Sequence, residues 1–530
     1  MKIKKNVKRN INIDIIRGMA ILMVLVYHIC VIGNIKFNSS LVNTLISSGG
    51  DLGVTIFFIL SGFSIYKVLS NKQETYTSYL KSRLSRLSPH YYISIIIVLL
   101  LTPTAVYLSK EHIFNIISHF FYFHNLFISF HGAISGVCWT LGVIFQFYLI
   151  APLLQKLINK YPKTTLIVSI IITLLSKGIL YYIILPSNKA LGAMYYFVYG
   201  RQLLTAIDAF VIGMFISKYE KKVQTNSIIK YILIPILLAI IILIILYGYN
   251  YKGISNVLIY SKSLKGVLYF TVLSIFAGLF IYVFSTMKIS SNMVSRFVLF
   301  ISKHEYAIYI WHLLILKNLL EYSSFFKQIV DKNPIVSVLT LSFLLIITSY
   351  LIDVIISSID FTNLEVMIKN NNKNIIKLVI AIIMTYVICQ TANNLKLSYN
   401  YYNKREENIN KCTNSCLIYK NVKNKLKCSG RQCKYIYIDT ENTGYLYFYQ
   451  LRYYLSPNII DHYNNYAYLI NYGSEEQLYN YLKSIDVDYI IVRENNLLEN
   501  AGYNLDPING TIYRLNKNAS ELSKILLEVE

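Results

Sequence analysis

The sequence predicts an all-α polytopic membrane bundle of about ten helices plus an eleventh, followed by a small extracytoplasmic α/β domain. Hydrophobic residues make up 55% of the 530 residues and charged residues only 15%, whereas soluble domains carry about a quarter charged residues. Apolar runs of about 20 residues recur along the chain, the length needed to cross a bilayer. This composition excludes a single soluble enzyme and a disordered chain, and 7 cysteines are too few for a disulfide scaffold.

Eleven apolar runs are predicted to span the membrane. The first contains no small-residue cleavage site, so it is interpreted as an anchor and not as a removed signal peptide. The aromatic segment 112–130 is interpreted as a re-entrant or interfacial piece. The predicted spans are 11–33, 51–70, 89–108, 137–157, 163–185, 203–217, 229–249, 265–286, 297–318, 334–357 and 375–391.

The distribution of basic residues predicts the orientation of these spans. Lys and Arg number 51 against 27 Asp and Glu, an excess that in a soluble protein would suggest nucleic acid. No nucleic-acid motif is evident, and the basic residues collect in alternate loops, as cytoplasmic loops do. We therefore expect a multi-pass cell-membrane protein in contact with lipid and not nucleic acid, with a cytoplasmic N-terminus and an extracytoplasmic C-terminal domain.

Three segments follow from these patterns: a membrane domain over 1–358, a linker with the eleventh helix over 359–392, and an extracytoplasmic domain of unknown role over 393–530. The tail is predicted to hold strands at 434–439 and 487–492 and helices at 442–455, 474–484 and 519–528. Two disulfides are the preferred interpretation of its four cysteines, with free thiols and a metal site as alternatives; the loose spacing argues against zinc. These cysteines are Cys412, Cys416, Cys428 and Cys433.

The first span carries two ionisable side chains that an apolar helix accommodates only at a cost. Arg17 and His28 are eleven residues apart, which places them about 20° apart around a helix and about 16 Å apart along it. They therefore share one face, with Arg17 near the cytoplasmic entrance and His28 deeper. Asp14 lies one turn before Arg17 and could orient it or cap the helix. An interfacial anchor (Arg17) and a hydrogen-bonded packing residue (His28) are the structural alternatives.

Further polar side chains stand near other spans. Arg83 and Arg86 are three residues apart and would be neighbours on a helix, suited to bind phosphate bidentately or simply to mark a cytoplasmic loop. Three histidines cluster after the third span, where surface or interface placement is expected in preference to a metal site. They are His119, His124 and His131.

Five motifs in this order resemble the membrane acyltransferase 3 family over residues 11–357. They are IDIIRGMAILMVLVYH with Arg17 and His28, DLGVTIFFILSGF from Asp51, RLSR from Arg83, WTLGVIFQFY from Trp139, and YAIYIWH ending at His312. No one of these motifs would be specific alone, but together they are.

The resemblance implies acyl transfer from a cytoplasmic acyl-CoA, commonly acetyl-CoA, to a hydroxyl of a surface glycan or lipid-linked glycan. Acyl-CoA would be a co-substrate, and neither a bound cofactor nor a metal is expected. His28 would be the catalytic base or transient acyl carrier, assisted by Arg17, while Arg83 and Arg86 would bind the donor. Supporting roles would fall to Asp14, Trp139, Tyr148 and His312, although a packing residue is the preferred interpretation of His312.

One position departs from the family pattern. The family usually has a Glu five residues after the tryptophan of the fourth-span motif, where this chain has Ile144. That departure favours a second hypothesis, a catalytically degenerate relative that acts as a sensor or scaffold. A transporter of glycan precursors is the third, because it would share the span count and the intramembrane charge.

Overall fold

A computed structural model gives the structure of the chain. It describes residues 10–33, 35–71, 75–101, 110–127, 130–131, 134–184, 198–220, 227–249, 263–287, 292–322 and 333–358, and the backbone of five strands in the tail. The predicted eleventh span and the four tail cysteines lie outside the described residues.

The membrane domain is a bundle of α-helices. A π-helical stretch at Leu180–Ile184 extends α6, and a short 3-10 turn at His124–Leu126 follows α4. The helices are α1 (Ile11–Ile32), α2 (Ser40–Asn71), α3 (Tyr76–Leu101), α4 (Lys110–Phe120), α5 (Trp139–Lys160), α6 (Pro162–Ile179), α7 (Ile207–Tyr219), α8 (Ser227–Tyr249), α9 (Leu264–Ser285), α10 (Met293–Lys303), α11 (Glu305–Tyr322) and α12 (Pro334–Ser358).

Seven helices in the described part of the chain are long and apolar enough to cross a membrane: α1, α2, α5, α6 with its π-helical extension, α8, α9 and α12. A helical membrane bundle therefore agrees with the sequence, while the count of ten stays a prediction. The predicted third span is the second half of α3, the sixth is the 13-residue α7, and the ninth is divided at His304 into α10 and α11.

Contacts between helices establish their relative directions. The Arg17 side chain of α1 bonds to Ser64 of α2, while Tyr27, nearly three turns after Arg17, lies against Gly50, nearly four turns before Ser64. Helices α1 and α2 are therefore antiparallel. Because Arg17 contacts the first residue of α11 and His28 contacts His312, α1 and α11 run in the same direction. We refer below to the Arg17 end and the His28 end of the bundle.

Backbone contact fixes α2 against α7. A Cβ atom added at Gly62 would lie 1.9 Å from the Phe210 carbonyl oxygen, and one added at Gly213 would lie 1.8 Å from the Ile59 carbonyl oxygen. Only glycine fits at either position, as at other close helix contacts in membranes. The largest buried cluster surrounds this contact and includes Ile59, Phe63 and Phe210, so α2 stands at the centre of the bundle.

The tail contains a five-stranded mixed sheet of order β2-β1-β3-β4-β5. β1 (Tyr435–Asp439) and β3 (Tyr489–Arg493) coincide with the two predicted strands and pair in parallel. The remaining strands are β2 (Ile459–Ile460), β4 (Thr511–Leu515) and β5 (Leu522–Ile525). The helix predicted over 519–528 is wrong in its centre, because β5 pairs antiparallel with β4 there. The other two predicted helices lie outside the described residues.

Candidate functional site

A cavity of about 230 Å³ opens among α1, α2, α3, α5 and α11. We call it the charged cavity. Three guanidinium groups, one carboxylate, several tyrosine hydroxyls and an apolar wall line it. Of the four arginine and histidine side chains predicted to be catalytic or donor-binding, three lie in this lining. The lining residues include Arg17, Arg83, Arg86, Glu305, Ser64, Tyr148, Tyr306, Tyr309, Phe57, Leu141 and Ile144.

Arg17 is held in place by three neighbours. Its Nη1 donates to Asp14 Oδ1 at 3.3 Å, its Nη2 donates to Ser64 Oγ at 2.9 Å, and its Nε lies 3.1 Å from Glu305 Oε1. The predicted orienting role of Asp14 agrees with this geometry, and Asp14 is buried. Because each guanidinium nitrogen already has a protein partner, Arg17 is better arranged to hold the shape of the cavity than to bind phosphate.

Arg83 and Arg86, unlike Arg17, have few protein partners for their guanidinium groups. Arg83 is half-buried and contacts the hydroxyl of Ser82 at 3.3 and 3.4 Å, while Arg86 is exposed. Neither makes an ion pair with a carboxylate in the described part of the chain. Their guanidinium groups thus offer an anion the bidentate geometry that phosphate favours.

The carboxylate of the charged cavity comes from a residue that the sequence analysis did not single out. Ile144, at the position where the family usually has Glu, lines the cavity but contributes only apolar surface. Glu305, at the start of α11, is the acid among the described lining residues and pairs with Arg17. A signal was present: Glu305 is an acidic residue inside the apolar run 297–318, where ionisable groups are expensive.

A pair of histidines lies toward the other end of α1. His28 Nδ1 is 3.1 Å from His312 Nε2, and the ring centroids are 4.9 Å apart. His312 is fully buried. Sequence alone leaves His312 open to interpretation as a packing or a supporting residue, and the structure brings it into direct contact with the predicted base.

The hydrogen bonds of this pair select one tautomer of each neutral ring. His312 Nδ1 lies 2.9 Å from the carbonyl oxygen of Ile308, which can only accept, so this nitrogen carries the proton and Nε2 keeps the lone pair. His28 Nδ1 faces both that lone pair and the Val24 carbonyl oxygen at 2.9 Å, and therefore carries its proton. The basic lone pair of His28 is consequently at Nε2.

Tyr309 separates the histidine pair from the charged cavity. Neither His28 nor His312 lines the cavity, whereas Tyr309 does. The Tyr309 ring lies 6.0 Å from the His312 ring between centroids, and its hydroxyl is 2.7 Å from Thr140 Oγ1. Arg17 and His28 thus both face α11, as their shared helical face predicts, but one lies at the cavity and the other behind a tyrosine.

Trp139 and Tyr148, both predicted to support the site, lie in different places. Tyr148 lines the charged cavity, while Trp139 lines a second, smaller pocket of about 50 Å³ on the far side of α2. We call this the polar pocket; its charged lining residues are Asp51, Lys177, Arg201 and Asp208. Lys177 and Asp208 fall inside predicted spans, so the rule used for Arg17 and His28 could have identified them.

The three histidines expected at the surface are buried. His119 and His124 stack with ring centroids 3.9 Å apart, and His131 stacks on Trp139 at 5.7 Å. The expectation was wrong because the turn after α4 folds back beneath α3 and α5, where Tyr91 covers His124. Within the described ranges, His, Cys, Asp and Glu form no group of three or more suited to a metal ion.

Comparison with known proteins gives a consistent result. The family model described as "Acyltransferase domain" matches residues 10–354. The chain is 31% identical over 171 residues to the peptidoglycan O-acetyltransferase OatA of Listeria monocytogenes, covering 29% of this chain and 25% of that protein. It is 26% identical over 334 residues to a putative O-acetyltransferase of Staphylococcus aureus strain COL, covering 57% of this chain and 49% of that protein. No solved structure matches the chain.

The matched region thus spans half or less of the length of these two curated relatives. The family match begins at α1 and ends within α12, so it contains both the charged cavity and the histidine pair. The tail sheet lies outside the family match.

Proposed function

The chain belongs to the acyltransferase domain family, and from this premise we propose that it is an integral-membrane O-acyltransferase that moves an acetyl group from cytoplasmic acetyl-CoA to a hydroxyl of a surface glycan. One observation carries the proposal. A cavity with three arginines at the Arg17 end of the bundle adjoins, through a single tyrosine, a pair of hydrogen-bonded histidines.

The donor end of the proposal rests on Arg83 and Arg86. Coenzyme A carries phosphates, and these two guanidinium groups have no carboxylate partner among the described residues. A volume of about 230 Å³ is below the range of pockets that enclose whole ligands of drug size. The cavity therefore suits the narrow pantetheine arm along Phe57, Leu141 and Ile144, with the phosphates held at the arginines.

The chemical step is assigned to His28. Its Nε2 accepts the proton of the acceptor hydroxyl while the hydroxyl oxygen attacks the thioester carbonyl carbon. The bond from carbon to sulfur then breaks, and the coenzyme leaves as a thiolate that takes up the proton from the imidazolium. A transient acyl-histidine followed by transfer to the hydroxyl is the alternative route.

His312 is assigned to position and support the base. In its neutral tautomer, the His312 Nε2 lone pair accepts the hydrogen bond from His28 Nδ1–H. This bond holds the His28 ring with its basic lone pair at Nε2 and stabilises the imidazolium that forms, which is the part an orienting group plays in a catalytic triad. Tyr309 must turn aside, or the thioester must pass its edge, for the donor to reach His28.

Glu305 provides a carboxylate in the charged cavity, although Ile144 replaces the Glu that the family usually has. The inactive-relative hypothesis depends on the loss of an acidic group at position 144, yet the cavity lining contains an acid from another helix. This favours the enzyme over the sensor or scaffold. The transporter hypothesis has no feature of its own in its favour, since the arginines and histidines are accounted for by donor binding and proton transfer.

The test is label transfer by the purified full chain in lipid vesicles. Acetyl-CoA labelled in the acetyl group is supplied with soluble peptidoglycan fragments, since one relative is named for peptidoglycan, and label released from the product by mild base is counted. We expect His28→Ala to abolish transfer and His119→Gln, a change at another buried histidine, to retain it. Transfer at the wild-type rate by correctly inserted His28→Ala protein would exclude the proposed base, and no transfer by wild type would exclude the donor or the acceptor class.

A further inference from the structure

The polar pocket lies among α2, α5, α6, α7 and α9, toward the His28 end of the bundle. Asp51, at its mouth, is adjacent on α2 to Gly50, which contacts Tyr27 beside His28. Helix α2 also contributes Val54 and Phe58 to both this pocket and the charged cavity. The two spaces therefore follow one another along a single helix.

The floor of the pocket holds two buried charges that do not neutralise each other by contact. Lys177 and Asp208 are each 1% exposed, yet no ion pair within 4.0 Å joins them. Asp208 Oδ1 accepts from the Ala209 backbone N–H at 2.8 Å, and the hydroxyls of Thr173 and Thr271 lie near the carboxylate, but its buried Oδ2 makes no hydrogen bond within 3.5 Å to a described residue. The Lys177 ammonium lies 5.2 Å from the Phe270 ring and makes no hydrogen bond to a described residue.

Such an arrangement costs stability unless a ligand or water completes it. A charged group inside a membrane bundle is expensive, and a buried polar atom without a hydrogen bond costs about 1–3 kcal/mol. Both groups line the same pocket, so a molecule between them that donates one hydrogen bond and accepts another would satisfy both. A hydroxyl group does this.

The mouth of the pocket adds an aromatic wall and an ion pair. Arg201 Nη2 lies 3.0 Å from Asp51 Oδ1, and these side chains are 16% and 18% exposed. The Arg201 guanidinium also stacks over the Trp139 ring at 5.1 Å. With two cations and two anions the lining is electrically balanced, which favours a neutral ligand. An indole ring provides the flat apolar surface against which the carbon face of a sugar can pack.

We propose that the polar pocket binds the hydroxyl-bearing edge of a neutral carbohydrate, and that this carbohydrate is the acyl acceptor. The assignment as acceptor rests on the proposed function; the binding itself does not. A volume of about 50 Å³ exceeds the 10–15 Å³ that one water needs but cannot enclose a sugar ring. The pocket therefore takes one or two hydroxyl-bearing carbons, and the rest of the glycan stays outside.

Direct binding tests the proposal without any catalysis. The chain has 2 tryptophans, so Trp311→Phe leaves Trp139 as the only indole fluorophore, in the wall of the pocket. Full-length protein in nanodiscs is titrated with diacetylchitobiose and with maltose as neutral probes. We expect a saturable change in Trp139 fluorescence with at least one of them, whereas no saturable change with either probe would overturn the proposal.

A paired substitution then links binding to the buried charges. Lys177→Met with Asp208→Asn removes both charges, keeps the volume and retains an oxygen for the Ala209 N–H, so the fold should survive. The matched control is Lys67→Met with Glu220→Gln, which removes an ion pair of 3.0 Å far from the pocket. We expect the pocket variant to weaken sugar binding about tenfold or more, as the loss of hydrogen bonds to charged groups implies, and the control to leave it unchanged.

Transfer kinetics separate the two proposals. If the sugar is the acceptor, the pocket variant should raise the KM for the acceptor and leave the KM for acetyl-CoA unchanged. Equal sugar affinity in the pocket variant and the control would show that the pocket holds water only, and would overturn the inference. Wild-type protein that binds sugar but transfers no acetyl group would overturn the proposed function and leave the binding site intact.

Discussion

The charged cavity and the polar pocket share a helix but differ in the balance of their charges. Three guanidinium groups face one carboxylate in the cavity, whereas two cations face two anions in the pocket. The excess positive charge of the cavity favours an anionic ligand, such as a phosphate. The balanced charge of the pocket favours a neutral ligand rich in hydrogen-bonding groups. The net charge of the lining after internal ion pairing therefore indicates whether the ligand of each space is charged or neutral.

The largest expected effect follows from removing that excess. Arg83→Gln with Arg86→Gln should raise the KM for acetyl-CoA by about a hundredfold or more, because two charge-assisted hydrogen-bonding groups are lost. Sugar-induced Trp139 fluorescence should not change. Lys81→Gln with Lys156→Gln removes two exposed charges that do not line the cavity and is the matched control. If both double variants raise the KM equally, the effect is one of overall charge and the comparison fails.

A milder change at the same place separates charge from shape. Arg83→Lys keeps the positive charge and loses the planar fork, so we expect a rise in the KM for acetyl-CoA of about tenfold, the value of one lost charged hydrogen bond. The measurement is initial rate against donor concentration in vesicles. An unchanged KM would show that Arg83 acts only as a point charge.

The role of Glu305 can be tested by moving its carboxylate. Glu305→Gln leaves Arg17 with a weaker partner at Nε, and we expect kcat/KM for acetyl-CoA to fall by about tenfold. Adding Ile144→Glu should recover much of the loss, since both positions line the charged cavity. Glu220→Gln, at an ion pair outside the cavity, is the control. Full activity of Glu305→Gln alone would remove Glu305 from the site.

Salt should affect the two spaces unequally. Raising the ionic strength from about 0.1 M to about 1 M shortens the Debye length from about 10 Å to about 3 Å, which weakens the attraction between phosphates and the exposed Arg86. The KM for acetyl-CoA should therefore rise several-fold, while neutral sugar binding stays constant. Parallel salt dependence of both ligands would contradict the difference in charge balance.

Acid should weaken the wall of the polar pocket. Burial lowers the pKa of His119 to about 4 and that of His131 to about 3, and both lie outside the candidate membrane spans. These rings are neutral in the fold, so their contribution to stability is complete above the unfolded pKa of about 6.5 and is lost as pH falls below it. Between pH 6.5 and pH 5 the loss is about 2 kcal/mol for each histidine.

The measurement is the unfolding temperature followed by Trp139 fluorescence in Trp311→Phe protein, with and without His119→Gln, taken from pH 7.5 to pH 5. The charged cavity has no histidine in its lining, whereas His131 stacks directly on Trp139. His119→Gln should flatten the pH dependence, because glutamine does not titrate. An identical slope in wild type and variant would show that His119 takes up no proton in unfolding.

Residue spacing within one helix was sufficient to predict part of the geometry of the candidate site. Eleven residues placed Arg17 and His28 on one face, and both contact α11. The pair Arg83 and Arg86 was also anticipated, because neighbours three apart follow from helix geometry alone. Both predictions needed only the period of the helix.

The missed features join distant parts of the chain. His28 and His312 are 284 residues apart, and Asp51 and Arg201 are 150 apart; no local pattern specifies which helices become neighbours. Glu305 was not predicted, because the motif that resembles the family begins at Tyr306, directly after it. The helix predicted over 519–528 was wrong because strand pairing with β4 overrode its helical spacing.

The backbone contact between α2 and α7 limits how the two faces of the membrane can communicate. With Gly62 and Gly213 against the opposing carbonyl oxygens, the two backbones are closely packed, and moving the helices apart would open a gap that no side chain fills. A rocking exchange of inward- and outward-facing states would require such a displacement at the centre of the bundle. We expect the acetyl group to cross this partition by rotation of side chains around a stationary α2, with both substrates bound at the same time.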